Sequence, residues 1–383
     1  MKTQWGLILA LWGAGLGAGA QFGKISVVFH LLPDIYPQAG AALGFVVSLV
    51  GFVGILLGVV AGLLVARITC RRALLWAMWL GAALSLFQAL LPVLPLMLGA
   101  RVLEGVSHIA IVVAAPTLIA RLSAPSQQGA ALTLWGTIFA VAFALLGWFG
   151  PPLVDSAGLS ALFLAHAAYM AVFALLLAWA LPPDSSTTEG VGLSWRQLLK
   201  GHSAVYRSAP QIAPAAGFLF YTASFVAVLT VLPPFVDQSQ RLLIMGAIPL
   251  MSIAASMTLG VVLLRVAPAL TVCRVGFALC LAAAAWIWVV PGGTLACLAL
   301  GGAMGLVQGA SFAAVPQLNP GERERALSNG ALAQMGNLGN TLGTPILAAG
   351  VFQMGYPALP LFVVVAAGAG LAVLLGFARR LRG

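Results

Sequence analysis

Ionisable side chains are what this chain has least of. Of 383 residues, 18 are Lys or Arg and 8 are Asp or Glu, so that 7% are charged while 62% are hydrophobic. A soluble domain carries about 25% charged residues, and the polar groups here are too few to cover a water-facing surface. That excludes a soluble globular protein and leaves an all-α polytopic membrane protein. Cysteine is scarce as well. Cys70, Cys273, Cys280 and Cys297 lie in or beside apolar runs without metal-ligand spacing, so they read as small apolar packers and no metal site is expected. The signatures of nucleotide hydrolysis and proteolysis are missing. The stretch nearest to a phosphate-binding loop, Gly17 to Lys24, has the wrong spacing and falls in a helical run. No enzyme and no cofactor are expected. The net charge of +10 is not gathered into one patch, which argues against nucleic acid.

What the chain does have is apolar runs. About 20 such residues span a bilayer. Twelve runs qualify, at 5–31, 41–65, 73–91, 94–120, 129–150, 159–181, 210–235, 242–264, 269–290, 294–316, 328–352 and 357–378. Placing both termini in the cytoplasm puts Arg67, Arg71, Arg72, Arg121, Arg196, Lys200, Arg207, Arg265, Arg323, Arg325, Arg379, Arg380 and Arg382 inside. Only Asp34, Asp155, Asp237 and Arg241 remain in the outer loops. That asymmetry is the one the positive-inside rule predicts, and it points to an integral plasma (inner) membrane protein. Ala18-Gly19-Ala20 resembles a signal-peptide cleavage site, but the apolar run continues past it to Leu32, so a membrane span is expected there. Pro182 to Arg207 is the longest hydrophilic stretch. It divides the chain into a six-span bundle at 1–181, a cytoplasmic loop at 182–208 and a second six-span bundle at 209–383. Glu104-Gly105-Val106-Ser107 matches Gln308-Gly309-Ala310-Ser311, and Gly150-Pro151-Pro152-Leu153 matches Thr344-Pro345-Ile346-Leu347. The two halves therefore read as pseudo-symmetric repeats.

Against this apolar background Arg101, Glu104 and His108 stand out. They lie three and seven residues apart in span four, on one helical face. Ionisable groups at membrane depth point into a bundle or a wet cavity. Either they carry function, or Arg101 and Glu104 form a structural i, i+3 pair with His108 bonded to a neighbour. Lys24 lies at a similar depth in span one, with Gln21 one turn before it; it either clamps an anion with Arg101 or snorkels to the interface. His166 in span six reads as a satisfied core histidine. Among uncharged groups of the second half, Gln308, Asn337 and Tyr221 are the favoured substrate contacts.

Four features make the chain resemble the major facilitator superfamily (MFS) of transporters. They are the 6+6 topology, Gly62-Leu63-Leu64-Val65-Ala66-Arg67-Ile68-Thr69-Cys70-Arg71 after span two, Arg101-Val102-Leu103-Glu104-Gly105 in span four, and Gly147-Trp148-Phe149-Gly150-Pro151 closing span five. The first signature departs from the family's at Ala66, Thr69 and Cys70, where the family has Asp, Gly and Arg. The resemblance implies the MFS fold of 12 transmembrane helices, a central cavity lined by spans one and four, and conformational roles for Gly62, Arg67, Arg71, Gly147, Gly150 and Pro151. It also implies a secondary transporter working by alternating access. The expected activity is movement of a small organic anion coupled to protons, with Lys24, Arg101 and Gln21 binding it beside Gln308, Asn337 and Tyr221, and with Glu104 and His108 carrying the proton. The expected partners are an anionic small molecule, protons and lipid, for a monomer. The competing expectation is a proton-driven exporter of amphipathic drugs or siderophore-like compounds, motivated by the span-five motif and by Trp135, Phe139 and Phe143.

Overall fold

In a bilayer every backbone amide must be satisfied within the protein, and a helix does so along its own length. The computed structural model describes residues 2–58, 69–183 and 205–381, and within them it is helical with no strand. Its main helices are α1 (Trp5–Ser26), α2 (the bent pair Gly40–Ser48 and Val50–Gly58), α3 (Cys70–Gln88), α4 (Leu94–Leu122), α5 (Ile138–Ala157) and α6 (Leu159–Ala180). There follow α7 (Ala209–Val231), α8 (Gln238–Ala255), α9 (Ala269–Val289), α10 (Thr294–Leu318), α11 (Glu322–Met354) and α12 (Ala358–Arg380). Gly62 and Arg67 of the loop signature, and 184–204 of the hydrophilic loop, lie outside the described residues.

Nine helices among the described residues are long and apolar enough to cross a membrane, ten if bent α2 is one span. Predicted spans three and eleven are helical too but more polar. Helix α11 has 33 residues, about 50 Å at 1.5 Å per residue. It carries Gln334, Asn337, Asn340, Thr341 and Thr344 because it packs against α2 and α7 within the molecule.

The first six helices pack chiefly among themselves, as do the last six, and the two sets meet along α2–α11, α5–α8 and α1–α7. Exchanging the halves turns the first of these seams into the second and leaves the third in place, as a two-fold pseudo-symmetry requires. Both long seams are made by glycine. A Cβ on Gly44 would meet the backbone of Pro345, and one on Gly147 would meet the backbone of Met245. Small residues let helix backbones approach where lipid offers no hydrophobic driving force. The α5–α8 seam lies toward the ends where α1 and α7 finish; Phe143 stacks on Phe225 there at 6.1 Å between centroids.

Local chemistry sets the helix ends. Asp237 caps α8 by accepting from the Ser239 amide at 2.8 Å. Beyond Ala255, α8 passes through a π-helical turn, Ser256–Gly260, before a last helical piece, Val261–Val266. The residue before α3 is Thr69, with φ 77° and ψ 142°, a region that β-branched residues avoid. The family signature has glycine there. Thr69→Gly should relieve strain of about 1–3 kcal/mol against a glycine entropy cost of about 0.5–1 kcal/mol. The net gain should raise the apparent Tm in detergent by about 2 °C or more; a lowered Tm would show that the backbone there is unstrained.

Candidate functional site

Three helices converge on one carboxylate. Glu104, on α4, accepts from Lys24 Nζ of α1 at 2.6 Å through Oε1. Its Oε2 accepts from Arg101 Nη1 one turn earlier on α4, and from Gln88 Nε2 of α3 at 2.8 Å. Lys24, Arg101 and Glu104 each have 0% exposure, so they touch neither lipid nor an open cavity. The snorkelling alternative for Lys24 is thereby ruled out, and the i, i+3 pair of Arg101 with Glu104 is present.

The two cations are held differently. The Arg101 guanidinium donates to three backbone carbonyls: Nε to Val46 at 2.6 Å, and Nη2 to Gln21 at 2.7 Å and Val47 at 3.1 Å. It ties α4 to α1 and α2, which a planar fork with five N–H groups can do and a lysine cannot. Lys24 is held by side chains alone. Besides Glu104 it donates to Ser85 Oγ of α3 at 2.6 Å, lies 3.3 Å from His166 Nδ1 of α6, and stands over the Phe163 ring at 5.5 Å. His166 Nε2 is 3.0 Å from the Gly17 carbonyl. A carbonyl can only accept, so Nε2 carries the proton and Nδ1 is the acceptor. The Ser85 hydroxyl, 2.6 Å away, donates to it.

Gln21 also joins this network. Its Nε2 donates to Ser107 Oγ at 2.9 Å, and Ser107 donates in turn to the Ala77 carbonyl at 2.7 Å. The amide orientation is therefore determined, and Gln21 Oε1, like Gln88 Oε1, is a buried acceptor with no hydrogen-bond partner. His108 does not reach Glu104. Its Nδ1 is 3.1 Å from the Ala18 carbonyl, and its ring packs edge-on to Phe22 and Phe139. Ser85, Gln88 and His166 are the members that sequence reasoning did not assign to the site. Ser85 and Gln88 lie one turn apart near the end of α3, a polar pair on one face, which was the available signal.

The second-half candidates are dispersed. Tyr221 lies between Phe218 and Phe225 and lines a small cleft with Ser224, Phe277, Cys280 and Met304. Asn337 packs its amide against Gly54 in the α2–α11 seam and donates to Ala333. Gln308, the counterpart of Glu104, is half-buried. No hydrogen bond among the described residues joins these three to the charged cluster. Of the conformational residues, Arg71 donates to the Ala178 and Leu181 carbonyls at 2.7 and 3.1 Å, capping the end of α6. Gly150 packs on Val27, and Pro151 lies within α5. All four cysteines are buried.

No curated protein matches the chain by sequence. Among solved structures it is similar to a bacterial homologue of the human lysosomal transporter Spinster in an inward-facing, occupied conformation. That match has a TM-score of 0.77 at 14% identity and covers 98% of this chain and 97% of that one. It is also similar to the nucleoside transporter NupG, with a TM-score of 0.73 at 17% identity over 97% and 99% of the two chains. At such identities these likenesses show the fold. A sequence model of the Major Facilitator Superfamily matches residues 7–344. The all-helical fold of the described residues, the transporter folds it resembles and this match make the chain a transporter rather than an enzyme, and it belongs to the Major Facilitator Superfamily.

Proposed function

We propose that the protein is a proton-coupled transporter of a small organic monoanion, with the Lys24–Glu104–Arg101 cluster as the coupling site. The observation that carries this is the charge count. Two cations and one carboxylate are fully buried together, which leaves one positive charge uncompensated. Burying unbalanced charge is costly, and a monoanion from the central cavity would offset it. Loss of one proton would make the cluster neutral and release the anion, so that proton and anion travel together. Gln21, Lys24 and Arg101 supply the attraction from the first half, with Gln308, Asn337 and Tyr221 orienting the anion from the second. His108 bonds to Ala18 rather than to Glu104, which favours assigning the coupling to the cluster without it.

The test is uptake of radiolabelled lactate and pyruvate into proteoliposomes under an imposed pH gradient. Glu104→Gln should lose the gradient dependence at least tenfold while keeping exchange of labelled for unlabelled anion. Gradient-driven uptake that survives in Glu104→Gln would remove the cluster from coupling. A second reading, export of amphipathic compounds, is favoured by the run of rings Phe143, Phe225, Tyr221, Phe218 and Phe312. It predicts drug sensitivity in a deletion strain and no carboxylate flux.

A further inference from the structure

The charge count also asks which group gives up the proton. Glu104 is held by both cations, and protonating it would leave two positive charges buried with no counter-ion. Arg101 keeps its proton at any accessible pH, and three backbone carbonyls hold it in place. Removing one proton from Lys24 instead leaves a neutral Arg101–Glu104 pair. The surroundings of Lys24 suit that change. In the charged form, Nζ donates to Glu104 and Ser85, and the Ser85 hydroxyl donates to His166 Nδ1. In the neutral form, the Ser85 hydroxyl rotates to donate to the amine lone pair. The amine N–H groups then donate to Glu104 and to His166 Nδ1, which already lies 3.3 Å away. The amine form pairs its two N–H groups and its lone pair; the ammonium form pairs two of its three N–H groups and stands over the Phe163 ring at 5.5 Å. The Gly17 carbonyl keeps His166 in the tautomer this requires.

We propose that Lys24 is the group that gains and loses the coupling proton, and that Ser85 and His166 position it in both its ammonium and its amine form. The proton goes to bulk water on whichever side the cluster opens. The ionisable groups facing Lys24 are Glu104 and Arg101 from α4 and His166 from α6. The proposal rests on the proton-coupled reading above and goes beyond it in naming the carrier.

The chain contains three lysines, Lys2, Lys24 and Lys200, which makes the test direct. The full chain, labelled with ¹³Cε-lysine and held in nanodiscs, is titrated from about pH 6 to about pH 11 by NMR, with the Lys24 signal identified by its loss in Lys24→Gln. Lys24 should pass reversibly from ammonium to amine within this range. Glu104→Gln should displace that passage, because the counter-charge is gone. Ser85→Ala should displace it, and Ser85→Thr, which keeps the hydroxyl, should restore it. In proteoliposomes, Lys24→Arg, a cation that cannot deprotonate, should lose pH-gradient-driven lactate uptake at least tenfold.

A Lys24 that stays an ammonium across the whole range overturns the proposal; if Lys24→Gln fails to fold, Lys2→Gln and Lys200→Gln assign the remaining signal by elimination. Flux that depends on the gradient together with such an inert Lys24 sinks only the assignment of the carrier. Wild-type flux indifferent to the gradient sinks the proton-coupled reading, and this proposal with it.

Discussion

Arg101→Ala should abolish anion uptake and lower the apparent Tm by several degrees. The guanidinium supplies Glu104 with a counter-ion and satisfies the carbonyls of Val46, Val47 and Gln21. Truncation takes a donor from three carbonyls and leaves Glu104 Oε2 with Gln88 alone where water does not reach. Hydrogen bonds to a charged group contribute about 1.5–3 kcal/mol each, so losing several is a large fraction of the stability of any domain. Arg101→Lys should recover little of it, because one ammonium on a flexible stem cannot reach carbonyls on two helices and the carboxylate together. The measurement is thermal unfolding in detergent beside lactate uptake in proteoliposomes. If Arg101→Lys matched the native chain in both, Arg101 would be a simple point charge and the bracing of α1, α2 and α4 would lie elsewhere.

The second large effect is expected at the α5–α8 seam. The Trp148 indole lies where a Cβ on Gly246 would be, and Gly147 packs on the Met245 backbone. Gly246→Leu would drive a side chain into that ring. Overpacking costs about 1–3 kcal/mol. Placed on one conformer only, that shifts the closed-to-open ratio by roughly 5- to 150-fold. Transport should fall at least tenfold because the seam no longer shuts. A cysteine introduced at Phe143, which meets Phe225 across the halves, should become reactive to a membrane-impermeant maleimide. Gly99→Leu is the control, since nothing lies within 4 Å of a Cβ there. Equal labelling in the Gly246→Leu and control backgrounds would mean that the seam tolerates the wedge.

The placement of helices was legible because lipid allows few alternatives; apolar length alone predicted most spans. Helices α3 and α11 are harder to read, since their neighbours are protein and their composition follows that. Within the site, Arg101 with Glu104 was legible from one turn of spacing. Lys24 was ambiguous, because a lysine near a helix end reads equally as a snorkelling anchor, and only the packing of α1 against α4 decides. His108 shows the limit of angular reasoning. It lies one turn after Glu104 on the same face, a spacing at which side chains can meet. Its ring turns instead to the Ala18 carbonyl of α1 and packs among Phe22 and Phe139. His166 joined the cluster because α6 packs against both α1 and α3, which nothing local in the chain announces.

Helices α2 and α8 are mates under the exchange of halves, and each lines one of the two long seams. Each also has an irregular stretch of backbone. Helix α2 turns by 56° between Gly40–Ser48 and Val50–Gly58, and α8 passes through its π turn at Ser256–Gly260. An irregular turn has already given up part of its i to i−4 ladder, so bending costs less there than in regular helix. The molecule thus has a pair of elbows. Both segments of α2 keep to α11, Gly44 before the bend and Gly51, Gly54 and Gly58 after it, so the joint lets one segment turn without breaking the contacts of the other. Opening would then proceed as the flexing of two jointed arms rather than the rocking of two stiff blocks.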